Sequence, residues 1–186
     1  MSEARAGGEQ ITIDFQGLPK SYFAQVWGKL QEGEKLDDAE QLLARSMADH
    51  PHWFPYFQTI GLFEQKDERY PGDVNPFLHV NLHMVIAFQL NQRRPKIITR
   101  YYQERIKKGE SPHEIIHQLI EVFQRQLVWT ITQGDRDGEG AGKVDLAAYG
   151  KTLKTLMRLS RRRLWQRLGA AEPPPLHPEA DLATEL

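Results

Sequence analysis

The fold is decided by the stretch NPFLHVNLHMVIAFQL, residues 75–90. Asn75 belongs to the residue types that cap helices, because its side chain accepts hydrogen bonds from the free amides of the first turn. Pro76 follows at the first helical position, where its missing N–H costs no hydrogen bond. From Phe77 to Leu90 the sequence is apolar almost all the way round a helix. We therefore predict a central helix that its neighbours bury on several sides.

Helical patterns continue on both sides of this stretch. Upstream, apolar residues recur at three- and four-residue steps until Gly33, and Asp37 with Glu40 forms a capping box for a second helix that Pro51 ends. Downstream, helices are predicted over residues 96–108, from 111 to about 133, and over 146–168. No segment of comparable strength changes clearly to the alternation of a strand. The sequence therefore predicts an all-α fold, a compact bundle of five to six helices.

The bundle is expected to form one helical domain over residues 21–168. The preceding residues 1–20 are rich in Gly and Glu and are expected to form a flexible, disordered arm, to which residues 11–15 add one short strand. Residues 134–142, which are charged and rich in Gly, predict a flexible loop. The Pro-rich, acidic residues 169–186 predict a disordered tail.

Composition excludes several classes of protein. The chain has no cysteine, which rules out disulfide scaffolds, thiol catalysis and cysteine-bound metals, so any metal must be held by His, Asp or Glu. Polar residues interrupt the longest apolar run, which is shorter than the roughly 20 residues of a membrane span. The first ten residues lack the apolar segment of a secretory signal. We expect a cytoplasmic protein without a membrane span.

Four of the seven histidines form two pairs with a spacing of four residues, His79 with His83 and His113 with His117. Residues four apart share a helix face, so each pair can present two imidazoles to one ion, and Glu121 extends the second line by a turn. Two facing helices would unite these residues in a site suited to zinc or iron. The alternative is a metal-free polar network, in which the imidazoles bond to carbonyls or to each other.

The segment HEIIH at residues 113–117 also matches the metalloprotease pattern, in which Glu114 would be the general base. Glu114 fits equally well as the capping-box partner of Ser111, and no glycine-bearing extension with a third ligand follows. Glu114 and His117 also form a Glu-x-x-His motif, as in di-iron bundles, but a di-iron site needs a second such motif and two more glutamates. We therefore expect a structural or regulatory site rather than a hydrolytic one.

The three other histidines are left outside this site. His50 stands beside Pro51, at the end of a predicted helix, where an imidazole interacts with the last free carbonyls. His52 and His177 are expected at the surface.

The last predicted helix, residues 146–168, is basic and amphipathic. It holds seven bases and no acid: Lys151, Lys154, Arg158, Arg161, Arg162, Arg163 and Arg167. Such a helix binds RNA or another polyanion, a lipid surface, or an acidic groove on a protein partner. The alternative is that it docks on the acidic remainder of its own bundle or of a second copy, which leaves a homo-oligomer open.

The motif NPFLHVNLH at residues 75–83, with Gln89 after it, resembles the signature of a bacterial family, domain of unknown function 1841. The resemblance covers about residues 21–157. It includes the turn at His50-Pro51 and the line of His113, His117 and Glu121. It implies a compact helical domain with recurring histidines and brings no assigned activity.

Two positions depart from the family pattern. Ile116 and Arg125 stand where the family has glutamates, so the resemblance does not support a site rich in carboxylates. It also implies that Glu114 is dispensable to the histidines.

Overall fold

The computed structural model describes residues 10–12, 17–60, 74–137 and 143–170, without the side chains of residues 10–12, 129–137 and 143. Most of these residues are helical, which confirms the predicted all-α class. They divide into two compact units. The first unit consists of residues 17–60 and 74–88, and the second of residues 10–12, 89–137 and 143–170. The prediction of one domain over residues 21–168 stays a prediction.

The first unit contains α1 (Lys20–Glu32), α2 (Asp38–Ala48), a 3₁₀ turn (Pro51–Trp53), α3 (Phe54–Gln58) and most of α4 (Pro76–Gln92). Gly33 ends α1 with a φ of +68°, a left-handed conformation that glycine adopts without a steric penalty. The predicted capping box of α2 is present in both directions. The Glu40 amide donates to Asp37 Oδ1 at 2.8 Å, and the Asp37 amide donates to Glu40 Oε2 at 3.0 Å.

Aromatic residues form much of the core of this unit. Phe23 meets the edge of Phe77 at 5.3 Å between ring centroids, and Trp27 lies 4.9 Å from Phe54. The remaining buried apolar residues of this cluster are Val26, Leu43, Ala44, Met47, Phe57 and Val80. The aromatic segment after Pro51 packs against this cluster, and it does so as the 3₁₀ turn and α3.

The start of α4 follows the predicted geometry. Asn75 Oδ1 accepts hydrogen bonds from the amides of Phe77 at 3.0 Å and Leu78 at 3.1 Å. Further along, the buried side chain of Asn81 donates to the Phe77 carbonyl and accepts from the Leu18 amide. A Cβ atom on Gly17 would lie only 2.9 Å from Asn81 Nδ2, so this close approach requires glycine. Asn81 thereby ties the chain that enters α1 to α4.

The second unit contains α5 (Lys96–Lys107), α6 (Pro112–Asp137), α7 (Leu146–Leu156) and α8 (Arg161–Arg167). The strand β1 (Gln10–Thr12), in the predicted arm, pairs antiparallel with β2 (Lys143–Asp145), and Ile11 lies opposite Val144. The buried apolar residues include Ile98, Tyr101, Ile115, Leu119, Phe123, Tyr149, Leu153 and Leu164. Ile106 of α5 is 41% exposed, unlike Ile98 and Tyr101 of the same helix.

Helix α6 is longer than the sequence predicts. It ends at Asp137, so the first residues of the predicted loop 134–142 are helical. Residues 138–142 of that loop, and residues 171–186 of the predicted tail, lie outside the described residues.

The predicted helix 146–168 is two helices, α7 and α8, with a break between Leu156 and Arg161. Side chains of α5 and of the residue after it donate hydrogen bonds to the backbone carbonyls of this break. Arg105 Nη1 donates to the Leu159 carbonyl at 2.7 Å, and Lys108 Nζ donates to the Met157 carbonyl at 2.7 Å. Ser160 has the extended backbone of a helix N-cap, with φ −67° and ψ 159°. These long-range bonds give the carbonyls partners that a continuous helix would otherwise provide.

A buried polar network connects α5 to α6. The fully buried Arg105 forms an ion pair with Glu110, and its Nε donates to Glu110 Oε2 at 2.8 Å. Gln118 donates to the same oxygen at 2.7 Å and accepts from the Tyr101 hydroxyl at 2.7 Å. Burial raises the pKa of Tyr101 far above its ordinary value, so the hydroxyl remains a proton donor.

Replacing Glu110 by Gln should leave the buried Arg105 guanidinium without its counter-charge. Loss of one partner of a buried ion pair costs about 3–5 kcal/mol, which we expect as the fall in the free energy of unfolding measured with urea. The matched control is Glu104→Gln, because Glu104 pairs with Lys107 at the surface. That change should cost less than about 1 kcal/mol. Equal effects of the two variants would contradict the burial argument.

Glu40 should make the first unit sensitive to acid. The hydrogen bond from Lys29 Nζ, followed by the Asp37 amide, lowers the pKa of the Glu40 carboxyl. A carboxylate with a lowered pKa stabilises the fold above its unfolded pKa of about 4.3, and that stabilisation is lost as the pH falls through the folded pKa. We expect Glu40→Gln to lower the urea midpoint at pH 7 and the difference from the unmodified protein to close in acid. A difference that is constant with pH would contradict this origin.

Candidate metal centre

His50 follows α2 and is almost fully buried, at 2% exposure. Its Nδ1 lies 2.8 Å from the Ser46 carbonyl, one helical turn earlier. A carbonyl can only accept, so Nδ1 carries the proton, and the neutral ring keeps a lone pair on Nε2. The indole of Trp53 stacks on this ring with 4.8 Å between centroids and an angle of 13°. His50 is therefore held with its Nε2 lone pair in a defined direction.

Two histidines of α4 face that lone pair. His79 Nε2 lies 3.1 Å from His50 Nε2 and 3.0 Å from His83 Nε2. His83 is buried and His79 is half-buried, and the His50 and His83 rings lie 4.6 Å apart. The predicted pairing of His79 with His83 on one helix face is present, because residues four apart share a face.

The geometry of these contacts suits a cation shared by the three rings. A neutral imidazole nitrogen has a single in-plane position, which holds either a hydrogen or a lone pair. His79 Nε2 makes two contacts through that one position. If it is protonated, it can donate along a straight line to only one of the two neighbouring rings; if it is not, it faces the lone pair of His50. A cation among the three nitrogens would accept all of their lone pairs.

His113 and His117 form the second pair, on the first turns of α6. Their rings lie 4.3 Å apart between centroids, and both side chains are half-buried. His50, His79 and His83 lie in the first unit, and His113 and His117 in the second. The prediction that the two histidine pairs meet in one site stays a prediction.

Glu121, the remaining predicted ligand, belongs to the second unit. It is half-buried and lies 3.8 Å from the Arg125 guanidinium.

His50 is the residue that sequence reasoning missed. The predicted interaction with a helix carbonyl exists, but it involves only Nδ1 and leaves Nε2 facing His79. The turn at His50-Pro51 belongs to the family resemblance, and this was the available signal. His52 is exposed, with its ring 6.0 Å from that of His50, and His177 lies outside the described residues.

Glu114 has a different role from the predicted one. Ser111 Oγ does accept from the Glu114 amide at 3.2 Å. The Glu114 carboxylate, however, turns to α8 and accepts from Trp165 Nε1 at 2.8 Å and from Arg161 Nε at 2.5 Å. Glu114 is buried, with 6% of its surface exposed. The capping box expected at Ser111 is thus one-sided among the described residues, because the carboxylate serves to hold α8.

The seven bases of the last two helices differ in their surroundings. Arg161 is half-buried and paired with Glu114. The others are exposed: Lys151, Lys154, Arg158, Arg162, Arg163 and Arg167. The apolar side of the same segment is buried, and Leu153, Leu156, Leu164 and Trp165 are each at most 6% exposed. These helices therefore pack through one side and present cations on the other.

Hydropathy gives no membrane-spanning candidate: among the described residues, no helix combines the length and the apolar character that crossing a bilayer requires.

Comparison with known proteins identifies a family. A family model described as a domain of unknown function (DUF1841) matches residues 18–151, most of the chain. Neither the curated proteins nor the solved structures contain a match. The matched range contains the NPFLHVNLH motif, His50 and both histidine pairs. The chain belongs to the DUF1841 family.

Proposed function

We propose that this protein is a cytoplasmic metal-binding protein, whose histidine cluster holds zinc or iron in a structural or regulatory role. The observation that carries the proposal is the contact of three Nε2 atoms at His50, His79 and His83, at 3.0 and 3.1 Å. Two ligands of a tetrahedral zinc with bonds of 2.0–2.1 Å lie about 3.4 Å apart, which is close to these separations.

The surroundings of His50 support the same conclusion. Histidines that bind metals almost always donate their other ring N–H to a carbonyl, a carboxylate or water, which fixes the tautomer. The bond from His50 Nδ1 to the Ser46 carbonyl is of this type. His79 and His83 supply the further imidazoles of the cluster, and imidazole is a preferred ligand of zinc and iron.

The chemistry of the ligands favours a non-hydrolytic role. The three side chains whose Nε2 atoms meet, His50, His79 and His83, are all imidazoles. The one carboxylate of the HEIIH segment, Glu114, accepts from Trp165 and Arg161. A general base must be within hydrogen-bond reach of the proton that it removes, and this carboxylate is already engaged elsewhere.

Metal content tests the proposal directly. Protein without a His-tag, dialysed against zinc or iron(II), should bind about one ion per chain by elemental analysis. His50→Ala and His83→Ala should each weaken binding by at least about tenfold, since both remove a proposed ligand. Bound metal at about 100 times its Kd should stabilise the unmodified protein by about 2.7 kcal/mol.

The controls for this experiment are two single substitutions. His52→Ala removes an exposed imidazole close to the cluster and should leave binding unchanged. Glu121→Gln tests the carboxylate that sequence reasoning adds to the ligands, and unchanged binding would exclude it. If the unmodified protein binds no more metal than the two variants that lack a proposed ligand, the metal site is refuted and the metal-free network is supported.

Replacing Glu114 by Gln separates the structural role of this residue from a catalytic one. The variant loses the charge that pairs with Arg161, and we expect the free energy of unfolding to fall by about 1–3 kcal/mol. Metal content should not change. A peptidase activity in the unmodified protein that disappears in this variant, with metal retained, would contradict the non-hydrolytic role.

A second candidate function is polyanion binding through α7 and α8. The exposure of six bases along a segment without an acid supports it, and RNA is the polyanion that we propose.

A triple change of Arg158, Arg162 and Arg163 to Gln should lower the salt concentration that elutes the protein from heparin. The same change at the exposed bases Lys96, Arg100 and Lys107 of α5 is the control. Equal losses would show that binding follows net charge rather than this surface.

A further inference from the structure

A cleft in the second unit lies among α6, α7 and α8. It has a cavity volume of about 450 Å³, which falls in the range of small-molecule sites. Three cations line it, one from each helix: Arg125, Lys151 and Arg167. Leu156 and Leu168, both buried, give it an apolar floor.

The charge of this cleft is not balanced locally. No Asp or Glu is among its lining residues. Lys151 and Arg167 make no ion pair among the described residues, and Arg125 has only Glu121 at 3.8 Å, across a largely exposed pair. By contrast, Arg161 of the same segment is paired with the buried Glu114. Three cations around one cavity therefore produce a positive potential that attracts an anion.

The position of Arg125 adds a geometric element. Its Nη2 donates to the Leu168 carbonyl, at the C-terminal end of α8. This bond restricts the guanidinium at the wall of the cleft. An arginine held in this way retains further N–H donors, and its planar fork matches the oxygens of phosphate.

Size and polarity select among anions. The cavity exceeds the space that one inorganic phosphate fills, and its apolar floor offers no partner to a second charged group. Three cations suit a dianion better than a monocarboxylate. We propose that this cleft binds a small organic phosphate monoester, with the phosphate among Arg125, Lys151 and Arg167 and the organic part against Leu156 and Leu168.

Phenyl phosphate is a suitable probe, because it joins a phosphate dianion to an apolar ring. Isothermal titration calorimetry on the full chain should show binding that is at least about tenfold tighter than that of inorganic phosphate, since the ring adds apolar contact. The double variant Arg125→Gln/Arg167→Gln should weaken binding by at least about tenfold. Lys151→Gln, on the exposed side of α7, should weaken it as well.

The matched control is Arg162→Gln/Arg163→Gln, which removes two exposed charges of α8 that do not line the cleft. Its affinity for phenyl phosphate should stay within about twofold of the unmodified protein. Equal weakening by the cleft and control pairs would overturn the proposal in favour of diffuse charge attraction. So would binding of phenyl phosphate no tighter than that of inorganic phosphate, or no binding of either probe. Lys151→Gln decides the question if the Arg125 variant unfolds, because Lys151 makes no bond through its ammonium among the described residues.

Discussion

The start of α4 at Asn75 and Pro76 is the constraint on which the first unit depends. The cap determines which residue begins the helix, and each later side chain then follows at a rotation of about 100°. Phe77 and Val80 consequently reach the aromatic core, while Asn81 bonds to the chain that enters α1. The same rotation along the helix directs His79 and His83 towards His50. One helix start thus positions both the core and two of the three histidines of the cluster.

Buried polar side chains serve mainly as connections in this protein. Asn81 joins α4 to the residues before α1, Arg105 and Glu110 join α5 to the start of α6, and Glu114 joins α6 to α8. These groups have hydrogen-bond partners that offset much of the cost of their removal from water. The histidine cluster differs in its geometry, because three Nε2 atoms meet at 3.0 and 3.1 Å, close to the spacing of ligands around one metal ion.

Sequence reasoning about local features was accurate where neighbouring residues decide the outcome. The capping box at Asp37 and Glu40, the terminator Gly33 and the cap at Asn75 all depend on residues within four positions. It failed where distant groups compete. The break after α7 depends on Arg105 and Lys108, about 50 positions away in the chain, and the Glu114 carboxylate leaves its capping box for Trp165.

The helical class, the main helix starts and the two histidine pairs can be predicted from the chain alone, because helical periodicity and capping are local properties. The contact of His50 with His79 and His83 depends on tertiary packing, since about 30 residues separate His50 from the other two. Likewise, Arg125 and Arg167 meet at one cleft although neither belongs to a shared motif. The physical reason is that ligand geometry depends on how elements pack, and packing depends on contacts that no local pattern encodes.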